Sequence, residues 1–192
     1  MDKKYNKLIL ITAPSGAGKT SIVKYLMTRF PQLSFSISAT TRKARDSEKD
    51  GEDYYFISEN EFIEKIHHKE FLEWEMVYEG KYYGTLKSEI ERIWALKKVP
   101  VLDIDVQGAI HVQQQYPVNT MAVFIQAPSS EELKKRLQGR GSETEESLQA
   151  RIDKSSYEMT FKKHFENVIT NEDFQTACLD AEKIVAAFLA KE

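Results

Sequence analysis

Apolar residues along the chain fall into two kinds of pattern. Residues 7–12 form a short β-branched run, Lys7-Leu8-Ile9-Leu10-Ile11-Thr12, that reads as a strand buried on both faces. A glycine-bearing turn follows. Ile22, Val23, Leu26 and Phe30 then recur at helical spacing until Pro31 ends the helix. Further buried strands are predicted over 99–105, 121–125 and 168–170, and helices over 87–98, 108–115, 145–165 and 174–190. Two Ser-x-x-Glu/Gln-type starts, Ser58 to Glu61 and Ser129 to Glu132, mark helix N-termini; the second opens a helix through Leu133 and Leu137. Strands alternating with helices predict an α/β domain on a parallel sheet.

Residues 35–85 break this rhythm. They are polar, arginine-bearing and aromatic, with one short helix burying Phe62, Ile63 and Ile66. A hairpin is centred on Glu79-Gly80-Lys81. They read as a β-rich subdomain inserted into the core. Residues 139–146 are polar and glycine-bearing and are expected to be mobile.

Composition adds exclusions. The chain has 192 residues, which suits one core with insertions. The formal net charge of -3 disfavours a general nucleic-acid binder. The single cysteine, Cys178, cannot form an internal disulfide, and its helix turns it to either core or solvent. The N-terminal apolar run is too short for a signal sequence or a membrane span. A cytoplasmic protein, monomeric or homo-oligomeric, is expected. His67, His68, His111 and His164 lack metal-ligand spacing.

The strongest chemical signal is Ala13-Pro14-Ser15-Gly16-Ala17-Gly18-Lys19-Thr20, a P-loop with alanine at its first position. Gly16 and Gly18 permit the backbone angles that aim consecutive N–H groups at a phosphate, and the following helix adds its positive end. Lys19 can reach β- and γ-phosphates, and the Thr20 hydroxyl can ligate Mg²⁺. Asp103 and Asp105, at the end of a predicted strand, are candidates to hold metal-bound water; a plain capping role is the alternative.

The order of motifs is more specific than the loop. Ser38-Ala39-Thr40-Thr41-Arg42, Arg45, Glu48, Gly51 and Asp53-Tyr54 come first. Then come Glu73-Trp74, Tyr83-Gly84-Thr85, Asp105-Val106-Gln107-Gly108, Arg136-Leu137-Gln138-Gly139-Arg140-Gly141 and Asn171-Glu172. In this order, from Ile9 to Asn171, the chain resembles the guanylate kinase family, nucleoside monophosphate kinases with a P-loop. The resemblance implies a P-loop kinase core (1–34, 86–138, 156–192), a GMP-binding subdomain (35–85) and a helical lid (139–155). It implies transfer of the γ-phosphoryl group of ATP to GMP, with dGMP also accepted. Arg42, Arg45, Tyr54 and Tyr83 would hold the GMP phosphate, and Glu48 falls in the same set. Ser38, Glu73, Thr85 and Asp105 would recognise guanine. Lys19, Arg42 and the lid arginines Arg136, Arg140 and Arg151 would neutralise transferring charge, and Asn171 would flank ATP.

The chemistry agrees with that assignment. Two guanidinium forks suit a phosphate dianion. A carboxylate can accept both N1–H and the 2-amino group of guanine, whereas adenine offers it a lone pair. The Ser38 and Thr85 hydroxyls can donate to the 6-oxo group. The acceptor phosphate is already anionic, so no general base is expected. Bland readings exist beside these: a solvated patch for Arg42 and Arg45, a surface glutamate for Glu73, helix-end charges for Arg136 and Arg140. Two rivals for the whole are a phosphopeptide-binding scaffold, against which Lys19 and Thr20 argue, and a kinase acting on a phosphorylated ribose.

Overall fold

The computed structural model describes residues 7–138 and 145–191. The core elements are β1 (Leu8–Thr12), α1 (Lys19–Arg29), β2 (Leu33–Phe35), and then the inserted β3 (Ala39–Thr40), β4 (Tyr55–Phe56), α2 (Glu59–His67), β5 (Phe71–Tyr78) and β6 (Lys81–Leu86). The chain returns through α3 (Lys87–Ala95), β7 (Val99–Asp103), α4 (Val106–Gln115), β8 (Thr120–Gln126), α5 (Ser130–Gln138), α6 (Glu145–Met159), a 3-10 turn, β9 (Asn167–Thr170) and α7 (Phe174–Ala190).

A five-stranded parallel sheet has the order β2-β7-β1-β8-β9. Its alternation is strict. Ile9, Ile11, Val101, Val123 and Ile125 meet Ile22 and Leu26 of α1 and Ala177, Ala181 and Val185 of α7. Leu8, Leu10, Leu102 and Phe124 face the other way, onto Ala109 and Val112 of α4. Both faces are covered, which is why the strands read as unbroken apolar runs. The register Ile11↔Asp103 between β1 and β7 makes the loop after one strand and the carboxylates after the other emerge side by side. Ligands of such sheets bind at these carboxyl ends.

The insertion forms its own four-stranded sheet, β4-β3-β6-β5, with β3 and β4 parallel and the other pairs antiparallel. Its small core is Ala39, Phe62 and Phe71, the two rings stacked with centroids 4.2 Å apart. Gly84 of β6 has no room for a side chain: a Cβ there would lie 2.8 Å from the Glu73 carbonyl oxygen and 2.8 Å from Trp74 Cβ.

The helix starts fall where the capping pattern predicts. Ser58 Oγ accepts from Glu61 N at 3.2 Å and Ser129 Oγ from Glu132 N at 3.1 Å. Cys178 is in the core. Several boundaries differ from expectation; the helix expected over 87–98 ends at Ala95, and the one expected over 108–115 begins at Val106. Phe35 belongs to the parallel sheet, paired with Val101, so the core strand runs to residue 35; three residues are too few to show a period. β7 stops at Asp103, because Asp105 caps α4 by accepting from Gly108 N at 2.7 Å. The helix expected over 145–165 ends at Met159 and tightens into a 3-10 turn over Thr160–His164. Residues 139–144, within the stretch expected to be mobile, lie outside the described residues. Among the described residues no helix is long and apolar enough to cross a membrane.

Gly84→Ala is expected to force β6 off β5, lowering unfolding stability by about 1–3 kcal/mol, as overpacking does. Chemical denaturation checks the effect.

Candidate functional site

The loop after β1 is built as a phosphate cradle. Gly18 caps α1 with φ +96°. A side chain there would also collide with the Asn171 amide, so two independent constraints require glycine. Ala17 N donates to Pro14 O at 3.1 Å, and Asn171 Nδ2 donates to Ala17 O at 2.8 Å, bracing the turn from behind. Ala13 replaces the usual glycine without strain. Its φ is not positive, and its methyl joins the core on the α1 side of the sheet.

Lys19 lies on the floor of the cleft, ion-paired with Asp103 and donating to Ile104 O at 3.1 Å. One of its three N–H groups is left for a phosphate. Thr20 is exposed at the first turn of α1. Asp105 keeps one carboxylate oxygen beyond its cap. From the far side of the loop, Arg151 Nη2 donates to Ser15 Oγ at 2.9 Å.

Facing the loop is the inserted sheet. Glu73 on β5 is 7% exposed, and Thr85 Oγ1, opposite it on β6, donates to its Oε1 at 2.6 Å. Burial, assisted by the Asp105 charge, pushes the Glu73 carboxyl up to about 7; the Thr85 hydrogen bond and Lys19 pull the other way. Tyr54 and Tyr83 meet edge to face at 6.0 Å. Burial raises the Tyr54 phenol above its ordinary range.

Arg42 stands over the Tyr54 and Phe56 rings at 4.9 and 5.5 Å. Its fork is held by Glu48 through Nη1 (2.5 Å) and Nη2 (2.7 Å), its Nε donates to Tyr83 Oη at 3.1 Å, and Nη1 also reaches Lys43 O. Arg42, with the Arg45 amide, holds the Glu48 carboxyl down to about 2. The fork expected to grip phosphate is therefore engaged by a carboxylate in this structure.

One cleft of about 520 Å³ joins the two halves. It is lined by Ala13 to Gly16 and Gly18 to Thr20 of the loop, by Ser38, Arg45, Tyr54, Glu73 and Tyr83 of the insertion, and by Asp103, Asp105 and Arg151. Thr85 lies behind Glu73, fully buried, with its hydroxyl committed to that carboxylate instead of being offered to a base. Arg136 and Asn171 sit behind the loop: Arg136 Nη2 donates to the Asn171 carbonyl at 3.1 Å and its Nε to Glu132 at 3.0 Å. Arg140 lies outside the described residues.

The lining also contains residues that the sequence reading did not single out, among them Glu75, Lys154 and Glu158. Glu75 follows Glu73 by two on a strand, and its Oε2 is buried with no hydrogen-bond partner among the described residues. Glu158 follows Arg151 by seven on a helix. Strand and helix periods applied to the residues already chosen would have found both.

Comparison with known proteins follows the same line. Residues 5–188 match the profile of the family described as guanylate kinase. The chain is 44% identical over 186 residues to a guanylate kinase of Bacteroides thetaiotaomicron, covering 97% of this chain and 91% of the relative. It is 45% identical to one from Porphyromonas gingivalis, covering 96% and 99%. The crystal structure of guanylate kinase from Anaplasma phagocytophilum superposes with a TM-score of 0.76 at 27% identity, over 96% of this chain and 87% of that one. A phosphate cradle, a facing pocket with a buried acid, and near full-length similarity agree: the chain belongs to the guanylate kinase family.

Proposed function

We propose that this protein transfers the γ-phosphoryl group of ATP to GMP, giving ADP and GDP, that it accepts dGMP as well, and that it serves purine nucleotide metabolism in the cytoplasm. The observation that carries this reading is the single cleft walled by a phosphate loop on one side and by Glu73, Tyr83 and Arg45 on the other.

Each residue has a physical task. The loop amides and Lys19 take the ATP phosphates. Arg45, Tyr54 and Tyr83 hold the GMP phosphate, and Arg42 stiffens both phenols. Fuller use of the Arg42 fork requires it to release Glu48. Ionised Glu73 accepts N1–H and the 2-amino group, Ser38 donates to the 6-oxo group, and Asp105 adds acceptor capacity. Thr85 acts one step back, fixing the Glu73 rotamer. A site built on polar pairing rejects an analogue that breaks it by roughly 10⁴. The attacking phosphate oxygen carries its own charge, so alignment and charge compensation do the work, with Arg140 and Arg151 of the lid completing them.

Mg²⁺ fits the donors present. Thr20 offers an exposed hydroxyl next to Lys19, and Asp103 and Asp105 line the same cleft, while no cluster of three metal-ligating side chains occurs among the described residues. Such a sparse set is what Mg²⁺ takes when water and phosphate supply most of its shell. When bound, the ion would offset phosphate charge; Thr20 would hold it directly, and Asp103 and Asp105 through water.

An acceptor panel with Mg-ATP tests the reading: GMP and dGMP should turn over, and AMP and ribose 1,5-bisphosphate should not. Lack of ADP formation with GMP would overturn it. Lys19→Met is expected to lower kcat by about 10²–10³ with the fold intact by circular dichroism, since a charge aimed at the transferring group is lost. GMP affinity should depend on pH through Glu73. Its carboxyl titrates near 7 and must be ionised to accept two N–H groups, so binding expels a proton. The apparent Kd should be flat above that pH and rise towards about tenfold per unit below it. The same titration on Glu73→Gln separates this slope from ionisation of the GMP phosphate.

A further inference from the structure

The chain passes between the two sheets twice, once over residues 36–38 and once where β6 runs into α3. On the first crossing each residue is held by a different part of the molecule. Ser36 N still donates to Val101 O of the core sheet at 2.9 Å, and Ser38 O already accepts from Tyr55 N of the inserted sheet at 2.9 Å. Between them, the Ile37 amide donates to Glu89 Oε1 at 3.1 Å. Glu89 lies in the first turn of α3, just past the second crossing. One carboxylate therefore joins both crossings.

The helix that carries Glu89 belongs to the core. Ile90 shares a core cluster with Leu8, Leu10 and Leu102, and Trp94 Nε1 donates to Lys7 O at 3.1 Å. The Glu89 side chain is 1% exposed. Arg92 grips it from the next turn, Nε and Nη2 each donating at 2.8 Å, and Tyr55 of β4 donates its phenol O–H to Oε2 at 3.0 Å. Burial alone would raise the carboxyl; the Arg92, Ile37 and Tyr55 donors outweigh it and hold it below the ordinary range. A buried ion pair gives little net stability compared with apolar packing, so stability alone does not account for this one. Two of the donors share a position relative to the cleft. Ile37 precedes Ser38 and Tyr55 follows Tyr54, and both Ser38 and Tyr54 line the cleft.

We infer that Glu89 is a positioning residue for the acceptor nucleotide: by taking the Ile37 N–H and the Tyr55 O–H onto one core-anchored carboxylate, it sets the pose of the inserted sheet and so places Ser38 and Tyr54 against GMP. Glu89 itself is not among the residues lining the cleft. The phosphate loop is held separately, by Asn171 and by the ion pair of Lys19 with Asp103, so the ATP side is spared. This inference rests on the reading of the insertion as the GMP pocket.

The test is two-substrate kinetics and thermal unfolding on the full chain. Glu89→Ala should raise KM for GMP about tenfold, the scale of one hydrogen bond to a charged group, and leave KM for ATP within about twofold. Its Tm should fall as well, because Arg92 and the Ile37 amide lose their partner. Two milder variants separate position from stability. Glu89→Gln keeps an acceptor oxygen for Ile37 and should bring KM for GMP to within about threefold of wild type. Tyr55→Phe removes one bond only and should raise KM for GMP about threefold with Tm nearly unchanged; it serves if the Ala variant does not fold. Equal shifts in both KM values, a Gln variant as impaired as Ala, or wild-type KM for GMP in either the Ala or the Phe variant would overturn the inference alone. A wild-type chain that forms no ADP with GMP would overturn the parent reading and this inference with it.

Discussion

The parallel pairing of β1 with β7 is the constraint on which the rest of this molecule depends. Because Ile11 lies opposite Asp103, the chain leaves both strands at one level. A lysine at the first residue of the helix after β1 therefore finds a carboxylate from β7 within ion-pair distance. That contact fixes the floor of the cleft. It also keeps the Lys19 ammonium at the mouth of the loop instead of letting it fold back over α1. The sheet tolerates this geometry because its apolar alternation covers both faces, leaving the carboxyl ends as the place for polar groups.

For a cleft meant to hold two phosphorylated ligands, the lining is surprisingly acidic. Glu73, Glu75, Asp103, Asp105 and Glu158 stand against Lys19, Arg45, Arg151 and Lys154. Side-chain cations alone do not make this a phosphate site. The loop amides, the N-terminal end of α1 and any accompanying metal must supply the remaining attraction. An acidic wall also has a use. It leaves little electrostatic profit for a stray anion, so occupancy depends on a ligand that satisfies the carboxylates as well as the cations.

Much of this was legible in the chain. Periodicity located the strands and helices of the core, and the two capping boxes fixed helix starts to the residue. Spacing alone exposed the loop, and the order of motifs from Ser38 to Asn171 identified the family. The misses share a cause. Leu33–Phe35 is too short for a period to register, and only its pairing with β7 makes it a strand. Asp105 ends a strand-like run, but whether such a residue continues the strand or caps a helix is decided by a hydrogen bond three residues on. Arg42 invites assignment to phosphate because of its type; that Glu48 occupies its fork depends on a turn that brings positions six apart into register. Thr85 appears as a base contact in sequence and as a support for Glu73 in space.

Three glutamates show why residue type stops short of role. Glu48 is met by a guanidinium fork and a backbone amide, so its charge is fixed at any physiological pH and it works as a tether for Arg42. Glu73 is buried beside one hydroxyl and another carboxylate, so its charge is conditional, and a ligand bringing two N–H donors is what makes ionisation favourable. Glu158 is buried too, with the Lys154 ammonium 4.0 Å away, and burial raises its carboxyl above the ordinary range. In water the three would titrate alike. The fold separates them by deciding which donor each can reach.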